Sequence, residues 1–167
     1  MILCTHAIVG GAVASLFPNH PVLVAVAGFA SHFAIDSIPH WDYPLQTIST
    51  GPDADNRHLA LDHRLILDLM LIGFDACAGL AIAIWLFATP ETPAMIGAIL
   101  LGGLAAILPD PLQFVHSLYP HEPLKSLQRF HQWIHSRRKL SWPIGASSQA
   151  LFAAAVSGIV IAMGPRF

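Results

Sequence analysis

Apolar residues do not alternate along this chain. They run in five blocks, at about 2–17, 22–38, 65–88, 94–108 and 142–163, divided by short polar or proline-rich breaks. Blocks of this length predict helices that are apolar on nearly every side, as in a lipid-embedded bundle. The first block ends in the turn Pro18-Asn19-His20-Pro21, the second at Pro39 and the fourth at Pro109-Asp110-Pro111. A membrane span takes ~20 apolar residues, with ~17 as a lower limit. The third and fifth blocks meet this; the others are short and call for little tilt, a thinner bilayer or polar ends. The alternative is three spans, with the first hairpin re-entrant. Gly10, Gly11, Ala14, Gly28, Gly73, Gly79, Gly102, Gly103, Ala153–Ala155 and Gly158 punctuate the blocks, as expected where helix backbones approach closely in lipid.

Two polar segments connect the blocks, Pro39–Arg64 and Phe114–Ser141, the first with a predicted loop at Gly51–Asn56. In the second, Leu124, Leu127, Phe130 and Ile134 share one helical face while Lys125, Arg129 and Arg137 lie away from it. That pattern predicts an interfacial amphipathic helix.

Composition strengthens the membrane reading. Of 167 residues, 54% are hydrophobic and 11% charged, against ~25% charged in soluble domains. Mean hydropathy is +0.60. Eight Lys and Arg against ten Asp and Glu give a net charge of −2, which argues against nucleic-acid binding. The expected fold is all-α: one polytopic bundle of about five transmembrane helices over residues 1–167. With five spans, seven of the eight basic residues share one side with the N-terminus, Arg166 being the exception. The positive-inside rule makes that side cytoplasmic. Met1–Cys4 shows no basic signal-peptide region. Cys4 and Cys77 lack CxxC spacing and read as small buried residues.

Ten histidines, more than Lys and Arg together, change the picture. The predicted topology gathers nine of them, with several aspartates, toward one face. Polar residues inside spans are costly and mark functional sites. His32 and Asp36 are four apart, on one helical face, either as metal ligands or as a hydrogen-bonded pair joining helices. His40 and Asp42 follow at once, as further ligands or a general base. His6 starts the facing helix, and Asp110 is held between two prolines. His131 and His135, again four apart, flank the apolar arc of the amphipathic helix, pointing into the bundle or to solvent. Arg64 and Asp68 read as an ion pair. Asp75, deeper in its block, is protonated or paired, and His58, Asp62 and His63 read as solvated loop residues.

These residues resemble a family of inner-membrane, membrane-bound metal-dependent hydrolases. Gly28-Phe29-Ala30-Ser31-His32-Phe33-Ala34-Ile35-Asp36-Ser37-Ile38-Pro39-His40 is similar to that family's GYxSHxxxDxxTPHG segment. Thr5-His6-Ala7 and Leu108-Pro109-Asp110 are similar to two of its other elements, and His131 to Ser136 loosely to a third, HRGxTHS. The Ser-His element comes second here rather than last. The resemblance implies a bacterial-type inner (plasma) membrane and a hydrolytic activity.

The expected function is therefore a membrane-embedded hydrolase with a divalent metal at the cytoplasmic face. His6, His32, Asp36, Asp110, His131 and His135 are the candidate ligands; His40 and Asp42 are the candidate catalytic residues. Zinc suits mixed imidazole and carboxylate ligands, and Mn or Fe takes the same set. A membrane lipid ester or phosphoester is the expected substrate, its head group drawn by the basic amphipathic helix. Three other readings stay open: a cation or proton path through the same cluster and Asp75, a haem held by His6 and His32, and a structural membrane protein without catalysis.

Overall fold

The computed structural model describes residues 1–49, 55–57, 59, 61–89 and 93–164. They form helices α1 (Leu3–Ser15), α2 (Pro21–Asp36), α3 (His63–Phe87), α4 (Pro93–Ile107), α5 (Pro109–Leu118), α6 (Leu124–Ile134) and α7 (Trp142–Met163). Among the described residues there is no strand, only an isolated bridge between His40 and Lys139. Prolines open α2, α5 and α7, where a missing N–H costs nothing and the fixed φ suits the helix.

The fourth apolar block does not stop at Pro109, as its flanking prolines had predicted. Leu108 keeps helical angles, and the Leu112 N–H donates to its carbonyl at 3.2 Å. The element therefore runs on through α5, and Ala94–Leu118 behaves as one apolar helix. It joins α3 and α7 as the three helices long and apolar enough to cross a membrane. Helices α1 and α2, of 13 and 16 residues, are shorter than that. On α3, Ile66, Met70, Phe74 and Trp85 are all exposed, an apolar surface that water does not favour and lipid does. Cys77 lies on this exposed surface and Cys4 is half-buried, so neither is the fully buried small residue expected.

The short helices are short because they start inside the bundle. The Cys4 N–H in the first turn of α1 donates to Asp75 Oδ2 at 3.0 Å, and Gly79 of α3 packs on Cys4 and Ala7. At ~1.5 Å per residue, Asp75 is about 18 Å along α3 from His63. The α1–α2 hairpin accompanies only the second half of α3, and Leu16 packs on the cluster of Phe87 and Met95. Its turn thus reaches the level where α3 ends and α4 begins. A Cβ on Gly10 of α1 or Gly28 of α2 would meet the Gly102 carbonyl oxygen of α4 at 2.5 Å. These three glycines let α1, α2 and α4 pack backbone to backbone.

Below the hairpin, irregular chain fills the space beside the first half of α3. Asp68 accepts from the backbone N–H groups of Gln46, Thr47 and Ile48 and from the Thr47 hydroxyl, at 2.7–3.2 Å. The expected Arg64–Asp68 pair is thereby corrected. Arg64 binds Asp62 at 2.8 Å, while Asp68 fastens this loop to α3. Buried Asn56 holds Ser49 and donates to Ser117 Oγ at 2.8 Å. His63 is exposed; His58 and residues 51–54 of the predicted loop lie outside the described residues.

Candidate metal centre

Asp36, at the C-terminus of α2, is the hub of the site and is almost fully buried. Its Oδ2 lies 3.2 Å from His32 Nε2 one turn back, 3.1 Å from His131 Nε2 on α6 and 3.7 Å from His135 Nε2. Its Oδ1 lies 3.2 Å from His6 Nε2 on α1 and 2.7 Å from the Met1 ammonium. Asp110, in the first turn of α5, brings Oδ1 to 3.6 Å from His32 Nε2.

Two backbone bonds carry the α6 histidines to α2. The Ser136 N–H donates to the Asp36 carbonyl at 2.7 Å, and the Leu140 N–H to the His40 carbonyl at 2.9 Å. Residues 136–140 thus lie along residues 36–40, and α6 turns its Gln128–His131 side inward. Trp133 faces out. Phe130, partly exposed, packs edge-on against Phe33 with ring centroids 4.9 Å apart.

The ring tautomers follow from the other nitrogen of each histidine. His32 Nδ1 lies 2.8 Å from the Ala106 carbonyl, His40 Nδ1 2.7 Å from that of Ile38, and His135 Nδ1 3.0 Å from that of Ser136. A carbonyl only accepts, so each Nδ1 donates, and a neutral ring then presents a lone pair at Nε2. All three Nε2 atoms point toward carboxylate oxygens. Such lone pairs face anionic oxygens comfortably when a metal cation or a second ring proton lies between them, and His131 Nε2 is within hydrogen-bond distance of both Asp36 Oδ2 and His32 Nε2, at 3.1 and 3.2 Å. Backbone carbonyls holding the far nitrogen are the usual supports of metal-bound histidines.

The ligand atoms of His32, Asp36, Asp110 and His131 all lie within 4.8 Å of one another, as do those of Asp36, His40 and His135. Either set could hold a metal ion. Buried atoms without a hydrogen-bond partner strengthen the fit: His40 Nε2 and both ring nitrogens of His6. His6 Nε2 is near Asp36 but poorly aligned to donate to it.

The sequence-derived residues thus converge, with a finer division than expected. His32, Asp36, Asp110 and His131 form one set, and His135 belongs with His40. His6 is at the cluster, its ring stacked on His32 with centroids 4.1 Å apart, but it is in neither set. The two rings stack directly on each other here rather than standing on opposite sides of a porphyrin. Asp42 is also in neither set: its Oδ1 lies 3.3 Å from His40 Nε2 and its Oδ2 accepts from Lys139 Nζ at 2.9 Å. Burial works against its ionisation, but His40, the Met1 ammonium and Lys139 outweigh burial and hold its carboxyl below the usual carboxylate range. Burial pushes the His135 pKa down, Asp36 offsetting this only in part, so His135 stays neutral as a ligand must be.

The cluster is level with the start of α1, and so well inside the bundle rather than at the end of α3. Asp75 shares that level but is in neither set; it accepts from the first turn of α1. One positioning residue escaped the sequence reading. Gln149, buried in α7, accepts from the Ile2 N–H at 3.1 Å and donates to the Trp41 carbonyl at 2.8 Å. A lone glutamine within an apolar block was its only signal. Comparison with family models, with curated proteins and with solved structures finds no match to this chain.

Proposed function

We propose that the protein is a membrane-embedded, metal-dependent hydrolase acting on a lipid ester or phosphoester. The observation that carries this is the buried convergence of His32, Asp36, Asp110 and His131. The resemblance of the Ser31-His32…Asp36…Pro39-His40 segment to membrane-bound metal-dependent hydrolases points the same way. Zinc is the ion we favour for this donor set. When bound, it supplies a Lewis acid and lowers the pKa of water toward ~7.

The chain's own residues provide the rest. The Ala106 carbonyl orients His32, and α2 sets Asp36 one turn away on the same face. Asp110, Asp42 and His135 have side chains 34%, 29% and 28% exposed and form the open edge through which a head group enters. Lys139 stands at that edge, and Arg137 and Arg138 precede it, a charge distribution suited to an anionic head group. Asp42 lies beside the ligand set, placed to take a proton from water, with His40 next to it. On the positive-inside argument, this edge faces the cytoplasmic side of a bacterial-type inner membrane. The reading as a cation path needs Asp75 free to titrate; its bond to the first turn of α1 works against that.

Metal analysis of detergent-purified protein, with hydrolysis assays on phosphodiester and carboxylester lipids, tests the proposal. Bound zinc, activity lost to a chelator and restored by metal, and inactivity of His32→Ala are expected. A metal-free protein whose fold and activity ignore chelators would overturn it.

A further inference from the structure

The second set, Asp36, His40 and His135, shares its carboxylate with the first. We propose that the centre holds two divalent cations bridged by Asp36, one on His32, Asp36, Asp110 and His131 and a second on Asp36, His40 and His135. This rests on the metal-centre reading above and extends it.

Three observations carry the second ion. The ligand atoms of Asp36, His40 and His135 lie within 4.8 Å of one another, while two donors at ~2.1 Å from one ion are at most ~4.2 Å apart. Inward shifts of a fraction of an ångström would therefore close the set. Next, His40 is almost fully buried and its Nε2 has no hydrogen-bond partner, although its Nδ1 is held by the Ile38 carbonyl. A buried ring nitrogen fixed with its lone pair toward the Asp42 carboxylate, 3.3 Å away, and with no donor facing it is costly unless something else binds it. An ion on the first set alone leaves this nitrogen unsatisfied. Finally, the pair is built from backbone on both sides. The Asp36 carbonyl accepts from Ser136 and the His40 carbonyl from Leu140, so the hydrogen bonds that align the two segments also set His40 beside His135, with ring centroids 4.8 Å apart.

A carboxylate bridging two cations is the common core of two-metal hydrolytic sites, in which ions ~3.5–4 Å apart hold the attacking and leaving oxygens of a phosphoester together. Two-metal sites hydrolyse acyl bonds as well as phosphoesters; it is the basic edge of Arg137, Arg138 and Lys139 that makes the phosphoester of an anionic phospholipid the substrate class of this centre.

The test uses the whole chain in detergent, stripped of metal and titrated with Mn²⁺ alone. Elemental analysis of wild type should give two Mn per chain, and its EPR spectrum should be that of a spin-coupled pair. His40→Ala and His135→Ala should each hold one Mn, with the six-line spectrum of an isolated ion. The wild-type spectrum decides the matter even where a variant fails to fold. One isolated Mn in wild type, unchanged by His40→Ala, would overturn the second site and leave the first. Neither Mn nor, in a parallel titration, zinc held by folded wild type would overturn the metal centre itself.

Discussion

At the scale of single residues, His32 and Asp36 were legible because a spacing of four is a local property of any helix. His131 and His135 could be set beside them from their own spacing of four, but the Ala106 carbonyl that orients His32, 74 residues away in the chain, left no signal. Asp36 serves both ligand sets, so Asp36→Ala should leave no bound metal, whereas His32→Ala should lose the ion of the first set. Elemental analysis of monodisperse variants checks this, and metal retained by Asp36→Ala would refute the hub role. Asp42 carries the pH prediction. Its folded pKa lies below the usual carboxylate value, so the unfolded chain binds its proton more readily. Its contribution to stability is then present above pH ~4 and is lost as the pH falls below that value. Asp42→Asn should lower the Tm at pH 7, and the gap to wild type should shrink as pH falls below ~4. A gap that is constant with pH would show that the carboxylate's charge plays no part.

At the scale of elements, the five apolar blocks and the amphipathic segment all appear as helices with ends close to those read from sequence. Two expectations failed for definite reasons. Pro109 lacks only its own N–H bond, and the next turn resumes, so α4 continues into α5. Asp68 had a basic neighbour one turn away, yet four donors from residues 46–48 satisfy it better than one exposed arginine. Asp75 holds the first turn of α1, and asparagine offers the same acceptor oxygen without the charge. Asp75→Asn should therefore leave metal content and hydrolysis within a few-fold of wild type; complete loss of activity with metal still bound would instead favour ion conduction. Gly102 faces the Gly10 backbone and the Ala14 side chain, and backbone cannot move aside. Gly102→Leu should destabilise by at least ~1–3 kcal/mol, read as a lower Tm in detergent or failure to accumulate.

At the scale of the whole molecule, the question is how two short helices fit among three long ones. The α1–α2 turn is level with the far end of α3, while the helices begin in the interior beside Asp75. The hairpin therefore opens at one face, and its root holds the metal centre. In a chain with Cys4 and Cys77 replaced, a cysteine at Asn19 should react with an impermeant thiol reagent from outside the cell, and one at Asp55 should not. Labelling of position 55 from outside would invert the topology, and protection of position 19 would make the hairpin re-entrant.

The sequence by itself determined the helices, their apolar surfaces and the residue types of the site, because hydrophobic runs and a spacing of four act over a few residues. It could not determine depth, since the level of α1 against α3 depends on the Cys4–Asp75 bond and on glycine packing between distant segments. Nor could it divide the histidines into two sets around one carboxylate. The pairing of residues 136–140 with 36–40 did that, through backbone hydrogen bonds that no side-chain pattern encodes.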